Sequence, residues 1–242
     1  MSLIEVRNLT KIYGDGEAKT PVLHDISFTI DKGEFVAIMG PSGSGKSTLL
    51  HLLGFLDDYT TGSYIFEGRE AKSYAGDEVA RIRNKKLGFV FQSFNLLPHT
   101  TVFENVKLPL LYSDIPEATW GALAEKAIEA VGLSHRRDFD ATQLSGGEKQ
   151  RAAIARALVC SPSVIFADEP TGNLDSKSGG AVMDILKKLN EVDGHTIILI
   201  THETDTARHA RRIIRIKDGM IESDTVVAKE HRANGNTLNK ID

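Results

Sequence analysis

Alternating apolar and polar positions open the chain. Residues 3–7 and 26–30 alternate as half-buried strands do. Between them, residues 14–20 are polar and contain glycine, which predicts a loop. Residues 35–39 are apolar throughout and run into Gly40, the pattern of a strand buried on both faces of a parallel sheet. Residues 47–53 then predict a helix. Residues 62–67, with Tyr64 and Phe66 alternating against other residues, predict another strand.

The pattern changes in the middle of the chain, where strand signals thin out from about residue 91 to 159. Residues 118–131 have helical spacing, with Ala124, Ala127, Ile128 and Val131 on one face. Residues 148–159 predict a second helix, rich in Ala. Apolar runs at 164–167 and 196–201 predict parallel strands, joined by a crossover helix at 182–189. Residues 213–216 and 220–222 flank Asp218-Gly219, a dipeptide suited to a two-residue hairpin turn. The tail, 228–242, is polar, and its end is expected to fray. The predicted fold is α/β, a core with a mainly parallel sheet, a small antiparallel β subdomain and a helical insertion. On this plan one domain spans 1–242, with 1–90 and 161–227 forming the core and β subdomain and 91–160 the helical subdomain.

Composition narrows the class. Hydrophobic residues at 41% and charged residues at 26% give a globular balance rather than a disordered one. The formal net charge of -4 lacks the basic footprint of a nucleic-acid binder, so no nucleic-acid partner is expected. No apolar run approaches the roughly 20 residues of a membrane span, and the first residues lack the blocks of a signal peptide. A cytosolic chain is therefore expected. The one cysteine, Cys160, cannot form an internal disulfide and reads as a packed or helix-end thiol. Seven of the eight histidines, and Trp120, read as surface or structural residues.

Gly40-Pro41-Ser42-Gly43-Ser44-Gly45-Lys46-Ser47, followed by Thr48, fits the P-loop pattern. Glycines let successive backbone N–H groups curl around one phosphate, and the loop opens a helix whose positive end faces the anion. Lys46 can reach the β- and γ-phosphates, and the Ser47 hydroxyl can ligate Mg2+. A strand before the loop and a helix after it strengthen the reading. By itself the loop predicts nucleotide binding, not a particular reaction.

The apolar run 164–167 ends in Asp168 and Glu169. In open α/β sheets, ligands bind beyond the carboxyl ends of the strands, so both acids are expected near the phosphates. Asp168 suits a Mg2+ ligand, directly or through water. Glu169 suits the general base that deprotonates the attacking water, a role typically worth about 10²–10⁴ in rate.

A second glycine motif follows the same logic. Leu144-Ser145-Gly146-Gly147-Glu148-Lys149-Gln150-Arg151 precedes a strong helix and exposes its N-terminal N–H groups to an anion. A simple kinase needs one phosphate surface, and this chain has two. With these motifs in this order, the sequence resembles the nucleotide-binding subunits of ABC transporters over nearly its whole length, from Ile4 to about Asp224.

The resemblance implies further roles. Ser145, Gly146 and Gly147 belong to the signature that binds the γ-phosphate of ATP held by a partner subunit's P-loop. Tyr13 is similar to the aromatic that stacks on adenine, though it also reads as an ordinary surface aromatic. Gln92 is similar to the glutamine that senses Mg2+ and γ-phosphate and links to the membrane partner. Asp175, in Asn173-Leu174-Asp175, falls in the loop that crosses the dimer interface. His202, just past the strand 196–201, is similar to the histidine that contacts the γ-phosphate. The signature's fifth position is often Gln and here is Glu148, which puts a carboxylate near the interface and predicts different tuning of ATP-driven pairing.

The family's working state implies a homodimer around two ATP with Mg2+, whose product is motion. Residues 91–98, with Glu104-Asn105-Val106 and 108–111, resemble the branch serving lipoprotein release, macrolide export and cell-division or peptide-resistance complexes. That resemblance implies a bacterial chain on the cytoplasmic face of the inner membrane, with a permease docking after Gln92. These residues do not separate an export or lipoprotein-release motor from a membrane signalling ATPase that controls cell-wall hydrolases or peptide resistance. The membrane partner carries that difference. A soluble ABC-type ATPase acting on DNA or ribosomes fits less well, because the chain has neither a long coiled coil nor a second cassette.

Overall fold

The computed structural model describes residues 2–14 and 19–228. Along the chain, β1 (Ser2–Tyr13), β2 (Thr20–Asp31) and β3 (Phe35–Met39) are followed by α1 (Lys46–Leu53), β4 (Thr61–Phe66) and β5 (Arg69–Glu70). Then come α2 (Asp77–Lys86), β6 (Leu87–Phe91), α3 (Val102–Lys107), α4 (Trp120–Ala130), α5 (Gly146–Leu158) and β7 (Val164–Asp168). The last elements are α6 (Ser176–Glu191), β8 (Thr196–Thr201), α7 (Thr204–Ala207), β9 (Arg212–Lys217) and β10 (Met220–Val226). These residues form two compact units. One takes the chain up to Val79 and the stretch from Thr196 onward, and the other takes Ala80–His195.

The first unit holds a four-stranded antiparallel sheet in the order β2-β1-β4-β5. β1 is central, pairing Ile4 with Ile30 on one side and with Phe66 on the other. Both β1 and β2 run beyond the alternating segments read from sequence. Asn8 and Asp25 adopt left-handed backbone and disturb the two-residue period, and the β1–β2 register shifts between Val6 and Leu9. The Asn8 amide donates to Asp25 across this irregularity at 2.5 Å.

The same unit contains β10-β9-β3-β8. β3 lies parallel to β8, from Phe35 opposite Ile197 to Met39 opposite Thr201, and also parallel to β9. Every residue of β3 and β8 is buried, as the apolar runs 35–39 and 197–200 predict, and Thr196 and Thr201 are buried with them. Each fully buried Ile or Leu contributes roughly 1.5–3 kcal/mol. α1 buries Leu49, Leu50, Leu52 and Leu53 and packs on β2 and β8. The β9–β10 hairpin turns through Asp218 and Gly219, both at positive φ, as the dipeptide predicts.

The second unit pairs β6 parallel to β7, from Leu87 opposite Val164 to Phe91 opposite Asp168. α5 lies on β6, and α3, α4 and α5 pack together. Gly88 allows that approach, since a Cβ there would lie 2.7 Å from the Ala157 carbonyl oxygen. α4 and α5 match the two helices expected in the middle of the chain. The expected crossover segment 182–189 is the inner part of the longer α6, whose buried face carries Val182, Met183, Leu186 and Leu189.

Five elements were not expected: β5, α2, β6, α3 and α7. α2 buries none of its residues, so it has no apolar stripe to announce it. Among the described residues no helix is long and apolar enough to cross a membrane. Cys160 is half-buried, and burial raises its thiol pKa, which suits a packed, unreactive side chain. The expected loop 14–20 falls partly, and the 228–242 tail almost wholly, outside the described residues.

Candidate functional site

In the first unit, β3 delivers the chain into the loop 40–45. Gly40 lies against β9, and a Cβ there would sit 2.1 Å from the Ile216 carbonyl oxygen. Gly43 takes φ 80° and Gly45 φ 96°, conformations that glycine adopts without strain. Gly45 caps α1, whose first turn holds no acidic residue. The Lys46 amine is largely buried and donates to the Pro41 carbonyl oxygen at 2.7 Å. Ser44 Oγ is buried with no hydrogen-bond partner. Gly40, Pro41, Ser42, Gly43, Ser44, Gly45, Lys46, Ser47 and Thr48 therefore form one curled loop and helix start. It contains both an orphaned hydroxyl and a cation turned onto the loop's own carbonyl, features that suit an anionic ligand.

Because Met39 pairs with Thr201, Gly40 and His202 leave neighbouring parallel strands at the same end. His202 is exposed there. Tyr13 ends β1 and is 39% exposed. Its hydroxyl donates to Asp57 Oδ2 at 2.7 Å, and it also interacts with the Thr48 side chain at the start of α1. Tyr13 thus stands beside the helix that follows the phosphate loop. Burial and the Asp57 carboxylate raise its phenol's pKa, with the Thr48 contact acting against them.

In the second unit, Phe91 pairs with Asp168, so Gln92 and Glu169 leave β6 and β7 together. Glu169 takes φ 46°, the left-handed region, and its carbonyl accepts from Gly172 N at 3.1 Å. A non-glycine residue held there costs of order 1–3 kcal/mol, and such strain clusters at working sites. Asn173 Nδ2 donates to the Gln92 carbonyl at 3.0 Å, and Gln92 Nε2 donates to Asn173 Oδ1 at 3.4 Å. A Cβ on Gly172 would lie 2.7 Å from Gln92 Nε2. Asp168, Glu169 and Gln92 are therefore gathered around one turn.

The second glycine motif joins the same unit's network. Ser145 caps α5 and forms a capping box with Glu148. Gly147 packs on Ser178 of α6, and Gly146 packs on Leu174. Asp175 caps α6 by accepting from Ser178 N at 3.0 Å, and that backbone bond lowers its carboxyl pKa. Ser145, Gly146, Gly147 and Asp175 thus lie on two helix starts in mutual contact. The Glu148 carboxylate is already engaged. It accepts from Ser145 N at 2.9 Å and from Ser145 Oγ at 2.8 Å, and it pairs with Arg136 Nε at 2.8 Å. The Ser145 amide, then its hydroxyl and Arg136, hold the Glu148 carboxyl at about 2.

Several supporting residues were given no role at the site by the sequence. Arg136 neutralises Glu148 from outside the motif. Asn105, fully buried, brackets the loop after Gln92 through Leu97 N and the Leu97, Thr100 and Thr101 carbonyls. Arg156 donates to the Phe94 and Asn95 carbonyls. That loop presents Leu97, and the segment beyond α3 presents Leu111 and Tyr112, as exposed apolar side chains. Lys11 and Asp57 brace Tyr13.

Comparison with known proteins places these features in a family. The ABC transporter family model matches residues 23–172. The ABC transporter ATP-binding protein MJ1508 of Methanocaldococcus jannaschii is 52% identical over 219 residues, covering 90% of this chain and 97% of that protein. The macrolide export ATP-binding/permease protein MacB of Marinobacter nauticus is 52% identical over 223 residues, 92% of this chain and 34% of its own length. The chain spans about a third of the length of the MacB relatives it matches. Among solved structures, the ATP-binding cassette MJ0796, a dimer in a post-hydrolysis state bound to ADP and Pi, superposes with a TM-score of 0.83. It is 42% identical, covering 93% of this chain and 99% of that one.

Proposed function

The chain belongs to the ABC transporter family as an ATP-binding, ATP-hydrolysing cassette, and from that premise we propose that it acts as a head-to-tail homodimer that closes on two ATP molecules and drives a membrane permease. The observation that carries this reading is the presence of two glycine-flanked helix starts in one chain. Gly45 caps α1, and Ser145 caps α5. Each turns the start of a helix, with its first N–H groups and positive dipole end, toward a phosphate. One nucleotide uses one such surface on its own subunit, which leaves the second for a nucleotide held by another copy.

On this reading the loop 40–48 wraps the β- and γ-phosphates and Lys46 leaves Pro41 to neutralise them. Tyr13 stacks on adenine. Ser145, Gly146 and Gly147 engage the second subunit's γ-phosphate, and Asp175 lies where the copies meet. Glu169 takes a proton from the attacking water, His202 contacts the γ-phosphate, and Gln92 reports nucleotide state to the loop that Asn105 and Arg156 hold.

Among the described residues, no group of three or more His, Cys, Asp or Glu forms a metal nest. A Mg2+ ion would be shared between this chain and the nucleotide's phosphates. Ser47, Asp168 and Gln92 offer the oxygen donors such a hard cation takes. When bound, the ion neutralises charge developing on the phosphate oxygens.

The exposed Leu97, Leu111 and Tyr112 support a permease docking surface after Gln92. The MacB relatives, whose name joins ATP-binding and permease, favour an export or mechanical-coupling system at the cytoplasmic face of the inner membrane. Affinity capture of the Glu169→Gln protein with Mg-ATP from detergent-solubilised membranes tests this. Recovery of a permease with few spans and a large external domain is expected. Recovery of only ribosomes, nucleic acid or soluble proteins would reject the transporter reading.

A further inference from the structure

Tyr13 is the last residue of β1, an exposed aromatic at a strand end, and nothing in its local backbone fixes its ring. Side chains do so, chiefly Asp57, distant in sequence, and Lys11, two residues back on the same strand, beside the Thr48 contact. Asp57 Oδ2 accepts from the Tyr13 hydroxyl at 2.7 Å, while Asp57 Oδ1 pairs with Lys11 Nζ at 2.7 Å. The Lys11 ammonium is largely buried, also donates to the Asp58 carbonyl at 2.6 Å, and stands 4.5 Å from the centroid of the Tyr13 ring. The stretch carrying Asp57 is itself tied to the end of β1, through Thr60 N to the Thr10 carbonyl at 2.8 Å and Ile12 N to Thr60 Oγ1 at 2.9 Å. The ring is thus held at its edge by a carboxylate, and Lys11 lies against one face.

We infer that Lys11 and Asp57 are positioning residues that hold the Tyr13 ring in one orientation, with its other face presented to the purine of ATP. This rests on Tyr13 being the base platform. A free tyrosine on the surface samples several rotamers and must be immobilised when a base stacks on it. Holding the ring beforehand removes that cost, which amounts to about two- to tenfold in affinity for one side chain. The cation on the near face adds attraction to the ring and blocks that side, so stacking is confined to one geometry. The same stretch follows α1, whose N-terminus opens from the phosphate loop. Asp57, which tethers the base platform, and the loop that holds the phosphates are therefore parts of one continuous segment, 40–60.

The test compares full-length Tyr13→Ala, Tyr13→Phe and Asp57→Asn, each titrated with Mg-ATP and with Mg-tripolyphosphate, which has the phosphates but no base. Tyr13→Ala should weaken ATP alone. Tyr13→Phe keeps the ring and loses the tether, and Asp57→Asn keeps the shape and loses the charge. Both should weaken ATP about two- to tenfold and leave tripolyphosphate unchanged. If Tyr13→Ala weakens ATP while Tyr13→Phe and Asp57→Asn do not, positioning is refuted and the base platform stands. If Tyr13→Ala leaves ATP affinity unchanged, the platform itself fails, and positioning fails with it. Equal loss of ATP and tripolyphosphate in Asp57→Asn would show that Asp57 acts only on the fold, and would also overturn the inference.

Discussion

Replacing Glu148 with Gln isolates the contribution of its charge. The side chain closes the capping box at the start of α5 and pairs with Arg136, and these contacts hold its carboxyl at about 2 against an ordinary 4.5. A carboxyl pKa lowered by folding contributes stability that is fully present above the ordinary value and lost as pH falls through the folded one. At about 1.4 kcal/mol for each tenfold change in acidity, this drop sets a ceiling of about 3.5 kcal/mol. Arg136 is 34% exposed on its side chain, against 14% for Glu148, so water screens the pair. A contribution of about 1–2 kcal/mol is therefore expected. Gln keeps the shape and an acceptor oxygen but loses the charge. Glu148→Gln should thus lower stability by about 1–2 kcal/mol at pH 7 and by less than half of that at pH 3, where the ionised form has lost most of its advantage. Urea unfolding midpoints of both proteins at the two pH values, compared at equal slope, give the difference. Equal midpoints at pH 7, or a deficit that persists unchanged in acid, would refute the reasoning.

Two further outcomes follow from the same geometry. Gly88→Ala should destabilise by about 1–3 kcal/mol in thermal unfolding, because its Cβ would meet the Ala157 carbonyl oxygen at 2.7 Å and the backbone of α5 must shift. Lys46→Ala should weaken ATP about 10- to 100-fold by calorimetry, the loss of one charge-assisted hydrogen bond, with the far-UV spectrum unchanged.

The parts of the fold that show plainly in the sequence are those whose burial is uniform. β3, β7 as far as Ala167 and β8 between its terminal threonines are apolar runs because both of their faces are covered, and the Asp218-Gly219 turn needs a backbone few residues adopt. Alternation failed at β1 and β2, where left-handed Asn8 and Asp25 break the period in mid-strand. β6 was hidden because Gly88 interrupts its five residues, and the reason for that glycine is the approach of α5, which no local pattern records. α2 buries none of its residues fully, and its half-buried side is mostly charged and polar, so no apolar stripe marks it.

The site divides in the same way. Its glycines, Lys46, Asp168, Glu169 and Ser145 form contiguous motifs, each with a local chemical reason. Their supports do not. Tyr13 and Asp57 are 44 residues apart, and Gln92 and Asn173 are 81 apart, pairings made only by folding. Any tuning of the interface by Glu148 starts from a carboxylate that already has partners. Its carboxylate is occupied by Ser145 and Arg136, so its charge is compensated within the subunit.

The central claim is that ATP joins two copies of this chain and that hydrolysis parts them. The most direct test is the mass of the Glu169→Gln protein in solution, measured by light scattering with and without Mg-ATP. The chain alone is 26.5 kDa. The account predicts the monomer mass without nucleotide and about twice that with ATP, the dimer persisting because the base that would end it is gone. A monomer at saturating ATP, with binding confirmed in the same sample, would contradict it.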